Sequence, residues 1–381
     1  MSEETLRQYD EWLTDESPLA ALVMRQWLVP VEGKDSVIFP PTYATPERPP
    51  EGWLGYNIDR FEDGTSVCQI DSVGSQANRI EPLFKRGPYN KLVPQITIEA
   101  DGRHISLLEA GHRAADAIVR FSNLAPDLEA AYQAWLDRGD AQPLAKLAPT
   151  SIVFGSWDSR ATQAKLPRIV RSVIRAYDVK TLHRSAQYST IAGEILEGAE
   201  VEVTTTGIKA ELGFAHVPAA WTHGGVLVQR ETRRDAALNL SALRALGADP
   251  AENVLKLRRY ILGLALVAFT APQETFLREG CQLVPDTNRT AEWKAVKHDG
   301  NSEYLAITHT DALAFAQVAA TDFEVGESKT ATFDAQSARE ALGQTKEQRK
   351  AGRRRGRIPK QAEASHARLE GQAQSESEED R

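Results

Sequence analysis

The stretch Phe154-Gly-Ser-Trp-Asp-Ser-Arg-Ala-Thr-Gln-Ala-Lys-Leu-Pro-Arg-Ile-Val-Arg-Ser-Val-Ile-Arg-Ala-Tyr177 joins a polar loop to an arginine-bearing element. Stepped at about 100° per residue, Arg168, Arg171 and Arg175 fall on one side. Val170, Val173, Ile174 and Tyr177 fall on the other. The spacing therefore predicts a helix that packs its apolar side on a sheet. Pro167 suits its first turn, where a missing N–H costs little. Three guanidinium groups on one stripe suit a row of phosphates. The bland alternative is a solvated helix face. Ser156, Ser159, Thr162 and Gln163 would offer donors beside the helix N-terminus, which favours anions. Arg160 and Lys165 add charge to the same loop.

Working outward, two more basic segments stand out. Ser75, Gln76, Asn78 and Arg79 follow a strand expected over Thr65–Val73, at the start of a helix near Gly74. Arg79 also has acids within reach, Glu81 among them, and Asn78 suits a cap or turn. Arg230, Arg233 and Arg234 precede an amphipathic helix expected over Ala236–Leu246. Trp157 offers either a stacking ring or a core anchor. Asp158 suits a turn or cap.

The chain has 381 residues and a formal net charge of −8. Residues 337–381 hold 11 Lys+Arg against 8 Asp+Glu, a net +3; the remaining 34 basic and 45 acidic residues net −11. An acidic body argues against coating nucleic acid over the whole surface, so any such contact rests on local arginines. Cys68 and Cys281 are far apart in sequence and form no metal-type pair, which suits a reduced cytosol. Met-Ser-Glu-Glu at the start has no signal-peptide pattern. The longest apolar run, Tyr260–Thr270, falls short of the roughly 20 residues that span a bilayer. The expectation is a cytoplasmic protein with no membrane contact.

A helix is expected over residues 1–30 and an irregular Pro/Gly-rich segment over 39–55. Ile96 and Ile98 mark a strand before an Asp101-Gly102 turn. Helices are expected over Ala114–Phe121, Leu128–Leu136, Leu255–Phe269 and Ala312–Ala320. Strands are expected at Ser151–Phe154, Val226–Gln229 and Leu305–Thr308, with a hairpin from Val201–Thr205 and Ile208–Phe214. Interleaving without a regular βαβ beat indicates an α+β body. The charged tail from Ser337 is too poor in large apolar residues to fold.

Several blocks, in order, resemble one family. They are Pro-Pro-Thr-Tyr at Pro40–Tyr43, Ile70-Asp-Ser-Val-Gly-Ser-Gln-Ala-Asn-Arg-Ile-Glu81, and Ser106-Leu-Leu-Glu-Ala-Gly-His-Arg113. The stretch from Phe154 follows, then Gly224-Gly225 before Arg230 and Arg233. From about residue 36 to 250 the chain is similar to the Cas-seven-type backbone subunit of the type I-G (formerly I-U) Cascade, in the CRISPR-associated RAMP superfamily. The resemblance implies an RRM-like (ferredoxin-like) palm with inserted finger and thumb segments over residues 1–336, followed by a disordered tail over 337–381. It implies copies lined along a CRISPR RNA, other Cascade subunits as partners, and target DNA reached through guide pairing. More distant backbone subunits grip RNA with a Ser-Arg, Ser/Thr-Gln, Lys/Arg series. The positions here that resemble it are Ser159, Arg160, Thr162, Gln163, Lys165, Arg168 and Arg171. Ser75, Gln76, Asn78 and Arg79 form the second candidate.

The sequence lacks a phosphate loop, a nucleophile elbow and common metal spacing among its eight histidines. The expectation is a non-enzyme without cofactor or metal. The alternative is a RAMP endoribonuclease that cuts repeat RNA with His183 or His112.

Overall fold

A computed structural model describes residues 3–49, 53, 55–188, 207–214 and 217–343. Two short helices, Glu3–Arg7 and Asp10–Leu13, precede Pro18, and the chain then enters strand β1, Leu19–Pro30. The helix expected over residues 1–30 thus ends at Leu13. The apolar run from Leu19 pairs on both edges, which outweighs its helical spacing. Strand β2 is Ser66–Asp71, followed by helix α1, Val73–Ile80. Ser72 caps α1 by accepting from the Ser75 N–H at 3.1 Å.

Strand β3, Val170–Tyr188, replaces the helix that the quoted stretch predicts. Val170 and Ile174, four apart, share a face under either period, and the β-branched residues favour a pleated surface. Pairing decides the matter. One edge of β3 pairs with strand β4, Val217–Asn239, and the other with β2. β4 in turn pairs with β1, and the far edge of β1 takes β5, Cys281–Pro285, and β6, Glu292–Lys297. The order across the sheet is β5/β6–β1–β4–β3–β2, all antiparallel.

Helix α2, Val254–Thr270, connects β4 to β5, and α1 lies on the route from β1 to β3. Two βαβ units split by an intervening strand give an α+β fold compatible with an RRM-like palm. Val170, Leu22, Met24, Ala236 and Leu238 from one face of the sheet join α2 in the main apolar cluster. Helix α3, His309–Phe323, packs along α2, and a Cβ on Gly263 would lie 2.8 Å from Ala316 Cα. Cys68 and Cys281 come together in a second cluster, both free. Burial pushes their thiols up to about 12 and about 11.

Other expectations divide. The hairpin at Ile96–Ala100 and Arg103–Ser106 turns on Asp101 and Gly102, both at positive φ. Helical residues appear at Ala125–Arg138 and Ala117–Arg120 as expected. Ser151–Phe154 is not a strand: Pro149–Val153 is a short helix with Pro149 at its start. The strand β4 continues through Ala236 to Asn239, and helix begins at Leu240, with Asn239 Oδ1 accepting from the Ala242 N–H at 2.9 Å. The late strand is Ser302–Tyr304 rather than Leu305–Thr308, because Thr308 caps α3. Of the hairpin expected beyond Val201, Val201–Thr205 lies outside the described residues, and Ile208–Glu211 is one helical turn. The tail expected from Ser337 begins inside a helix, Ala335–Gly343, and residues 344–381 lie outside the described residues. Among the described residues no helix is long and apolar enough to cross a membrane.

Candidate nucleic-acid interface

Strand periodicity sorts the arginines. Side chains two apart share a face, so Arg171, Val173, Arg175 and Tyr177 stand together. Arg171 and Arg175 share a face in both readings, since a separation of four suits both periods. Tyr177 changes sides: the helical reading buried it, whereas counting by twos places it with the arginines. Ile174 faces the apolar cluster beneath the sheet.

The register completes this open face. Arg175 lies between Gln69 of β2 and Arg233 of β4, and Arg233 lies beside Trp27 of β1. Arg233 donates to Glu231 at 2.8 Å and to Asp235 at 2.9 Å, with its guanidinium 4.2 Å from the Tyr177 ring. Glu231 also accepts from Trp27 Nε1 and from Arg289, each at 2.8 Å, and Arg289 stacks on Trp27. Burial opposes ionisation of Glu231, but these hydrogen bonds outweigh it and hold the carboxyl below its ordinary value. Arg25 pairs with Asp235 at 3.1 Å. On the β1–β4 half of the face, Arg25, Arg233 and Arg289 are thus all paired, sharing Glu231 and Asp235. Arg171 and Arg175 on β3 have no carboxylate partner among the described residues.

The loop before β3 is a small hairpin, with Ser156–Trp157 paired to Lys165–Leu166. It feeds a strand, so the helix N-terminus expected to attract anions does not exist. Asp158, buried at its base, accepts from the Ala161 N–H at 3.1 Å, the Thr162 N–H at 2.7 Å and the Thr162 hydroxyl at 2.7 Å. The Gln163 amide donates to Ser159 O at 2.6 Å, and Gln163 adopts positive φ. Thr162 and Gln163 thus build the loop. Arg160, Lys165 and Arg168 are exposed, Ser159 is half-buried, and Trp157 is 57% exposed rather than tucked into the core. Gly155 sits at φ +75°, where a Cβ would meet Arg168 Cγ at 2.7 Å.

The second candidate segment touches the first. Arg113 is buried, reaches Glu81 at 2.7 Å, and donates to Asn78 Oδ1 at 3.3 Å and to Gly155 O at 3.4 Å. It ties the end of α1 to the base of the loop. Burial pushes the Glu81 carboxyl up to about 7 against the pull of Arg113. Partial desolvation, then the charge of Arg113, lowers the Arg168 pKa. Gln76 is buried, donating to Asp71 at 2.7 Å and accepting from the Ser172 hydroxyl at 2.8 Å. Arg79 contacts Asp71 at 3.2 Å and Leu277 O at 2.6 Å. Ser75 and Asn78 remain exposed. Arg230, Arg233 and Arg234 do not begin a helix; Arg233 and Arg234 face opposite sides of β4.

Farther along the β3–β4 hairpin, His183 stacks on Trp221 with ring centroids 3.9 Å apart, and Trp221 is 70% exposed. Trp221 did not stand out in the sequence, and Tyr177 was read there as part of a buried apolar side; period-two counting from Arg171 places it with the arginines. His112 is exposed, its backbone N–H bonded to Asp116 at 3.1 Å.

Residues 22–181 match the family model of CRISPR-associated protein GSU0053, Cas_GSU0053. Over that span the chain is similar to CRISPR-associated proteins. The Cas_GSU0053 match takes in most of β1, all of β2 and α1, the Asp158 loop, and β3 through Thr181. It therefore holds both Arg171 and Arg175. No curated protein matches the chain.

Proposed function

We propose that this protein is a cytoplasmic CRISPR RNA-binding backbone subunit of a type I Cascade complex. Copies of it assemble along the guide RNA with other Cascade subunits, and the guide pairs with target DNA. The observation that carries this reading is the pair Arg171 and Arg175. They are cations with no carboxylate partner among the described residues, beside Tyr177 on the open face of a sheet, inside the span that matches a CRISPR-associated family. Guanidinium groups with an adjacent ring suit single-stranded RNA, held by phosphate contact and stacking. Backbone contact without base readout is what a subunit serving every spacer sequence requires. The protein acts without catalysis in this reading.

The test is to purify the protein from cells carrying a CRISPR array and to sequence the RNA that comes with it. The expected result is guide RNA of uniform length, lost after Arg171→Glu with Arg175→Glu. Nucleic-acid-free protein that does not bind guide RNA in vitro overturns the proposal. Single-turnover cleavage of repeat RNA that depends on His183 or His112 overturns its non-catalytic part.

A further inference from the structure

On the helix-covered side of the sheet, opposite Arg171 and Arg175, lies a cavity of about 600 Å³. It opens between the sheet, the end of α1 and the segment after α2. Arg234 lines it and is 3% exposed. The Arg234 Nε donates to the Ser172 hydroxyl at 2.9 Å, while Nη2 is buried with no hydrogen-bond partner. Among the described residues no carboxylate pairs with Arg234. Asp71, buried in β2, already accepts from Gln76, Arg79 and Arg278.

A buried guanidinium without a counter-charge is costly, and burial lowers the Arg234 pKa to about 10. The cavity carries a second unpaired cation, Arg86, which is exposed and has no acid partner among the described residues. Glu274 also lines the cavity, but it is mostly exposed and pairs with Arg79 at 3.7 Å. Phe269, Leu283 and Trp293 supply apolar and aromatic wall. The volume falls within the range of small-molecule pockets, roughly 300–1,000 Å³.

We infer that this cavity binds a small amphipathic anion, its phosphate or carboxylate head on Arg234 and Arg86 and its apolar body against Phe269, Leu283 and Trp293. The shared chemistry is an oxyanion on an aromatic or apolar frame. Guanidinium forks recognise either head group. The site does not depend on the RNA reading, because it lies on the other side of the sheet.

The experiment is thermal unfolding and calorimetric titration of the full chain with phenyl phosphate, benzoate and inorganic phosphate. The first two probes separate the phosphate and carboxylate sources. The expected result is a saturable rise in Tm with at least one aryl anion, and a smaller rise with inorganic phosphate. Arg234→Met should fold as well as the parent, because an apolar side chain of similar length replaces an unpaired buried charge. It should lose the ligand-induced shift entirely. Arg86→Gln, at the exposed mouth, should leave the unliganded Tm unchanged and weaken binding roughly tenfold. Absence of any shift with both aryl anions overturns the inference. So does a shift that persists in a folded Arg234→Met protein or is unaltered by Arg86→Gln.

Discussion

Arg175 stands directly opposite Arg233 across the β3–β4 ladder, and only Arg233 is neutralised. Like charges facing each other across strands are destabilising. Glu231 and Asp235 relieve that repulsion by holding Arg233, which leaves the charge of Arg175 available to an outside anion. The open face is thus graded from a paired half on β1 and β4 to a cationic stripe on β3.

The first prediction tests that stripe. Arg171→Glu with Arg175→Glu should abolish RNA retention and leave circular dichroism and Tm close to the parent. Loss of two phosphate contacts should reduce the log–log salt slope of binding by about 1.4 for single-stranded RNA. Electrophoretic binding assays at several salt concentrations check it. Parent-like affinity and slope would show that RNA lies elsewhere.

The second separates strand from helix. Val173 and Ile174 are both buried, at 6% and 4% exposure. Ile174 faces the apolar cluster, whereas Val173 lies between Arg171 and Arg175 on the open face. Ile174→Asp should unfold the protein or cost on the order of 4 kcal/mol. Val173→Asp should cost less, because the two flanking guanidinium groups offset the repulsion from Asp235, which stands directly opposite. Urea denaturation of each variant decides between this order and the equal damage a helix would give.

The third concerns Asp158. Asp158→Ala removes three hydrogen bonds that fold the loop over residues 158–164. A loss of about 1–3 kcal/mol is expected, along with faster proteolysis near Arg160. Limited digestion with trypsin reads the second effect directly. A loop as resistant as the parent's would remove Asp158 from its organisation.

The fourth is a pH effect. The Glu81 carboxyl is raised to about 7 by burial, above its ordinary 4.5. The folded protein therefore holds this proton more tightly than the unfolded chain does. The associated stability is present at low pH and is lost as pH rises from about 4.5 through about 7. Glu81→Gln should flatten that part of the stability profile. Chemical denaturation of both proteins between about pH 5 and pH 8 measures the difference. An identical slope in the two proteins would show that Arg113 keeps Glu81 ionised throughout.

Legibility in the sequence followed the length of each signal. The helix Val254–Thr270 was visible because a long apolar run after Lys256, Arg258 and Arg259 admits few other readings. The Asp101-Gly102 turn was visible because both residues accept positive φ. The quoted stretch was not, because Val170 with Ile174 and Arg171 with Arg175 are each four apart and share a face under both periods. Partners far along the chain, at Gln69 and Arg233, settle it. The turn role of Asp158 was legible from residue type alone. The buried unpaired Arg234 was not, since nothing in an Arg-Arg dipeptide says which side chain turns inward.

That dipeptide makes the sheet sensitive to parity. Deleting one residue between Val170 and Arg175 would exchange the two faces of β3 against an unchanged β4, turning Arg175 inward and Ile174 outward. Deleting two would shorten the strand and keep every remaining side chain on its own side. Drift in the length of this segment should therefore occur in even steps, with odd ones confined to places where a bulge already breaks the ladder, such as between Val228 and Glu231.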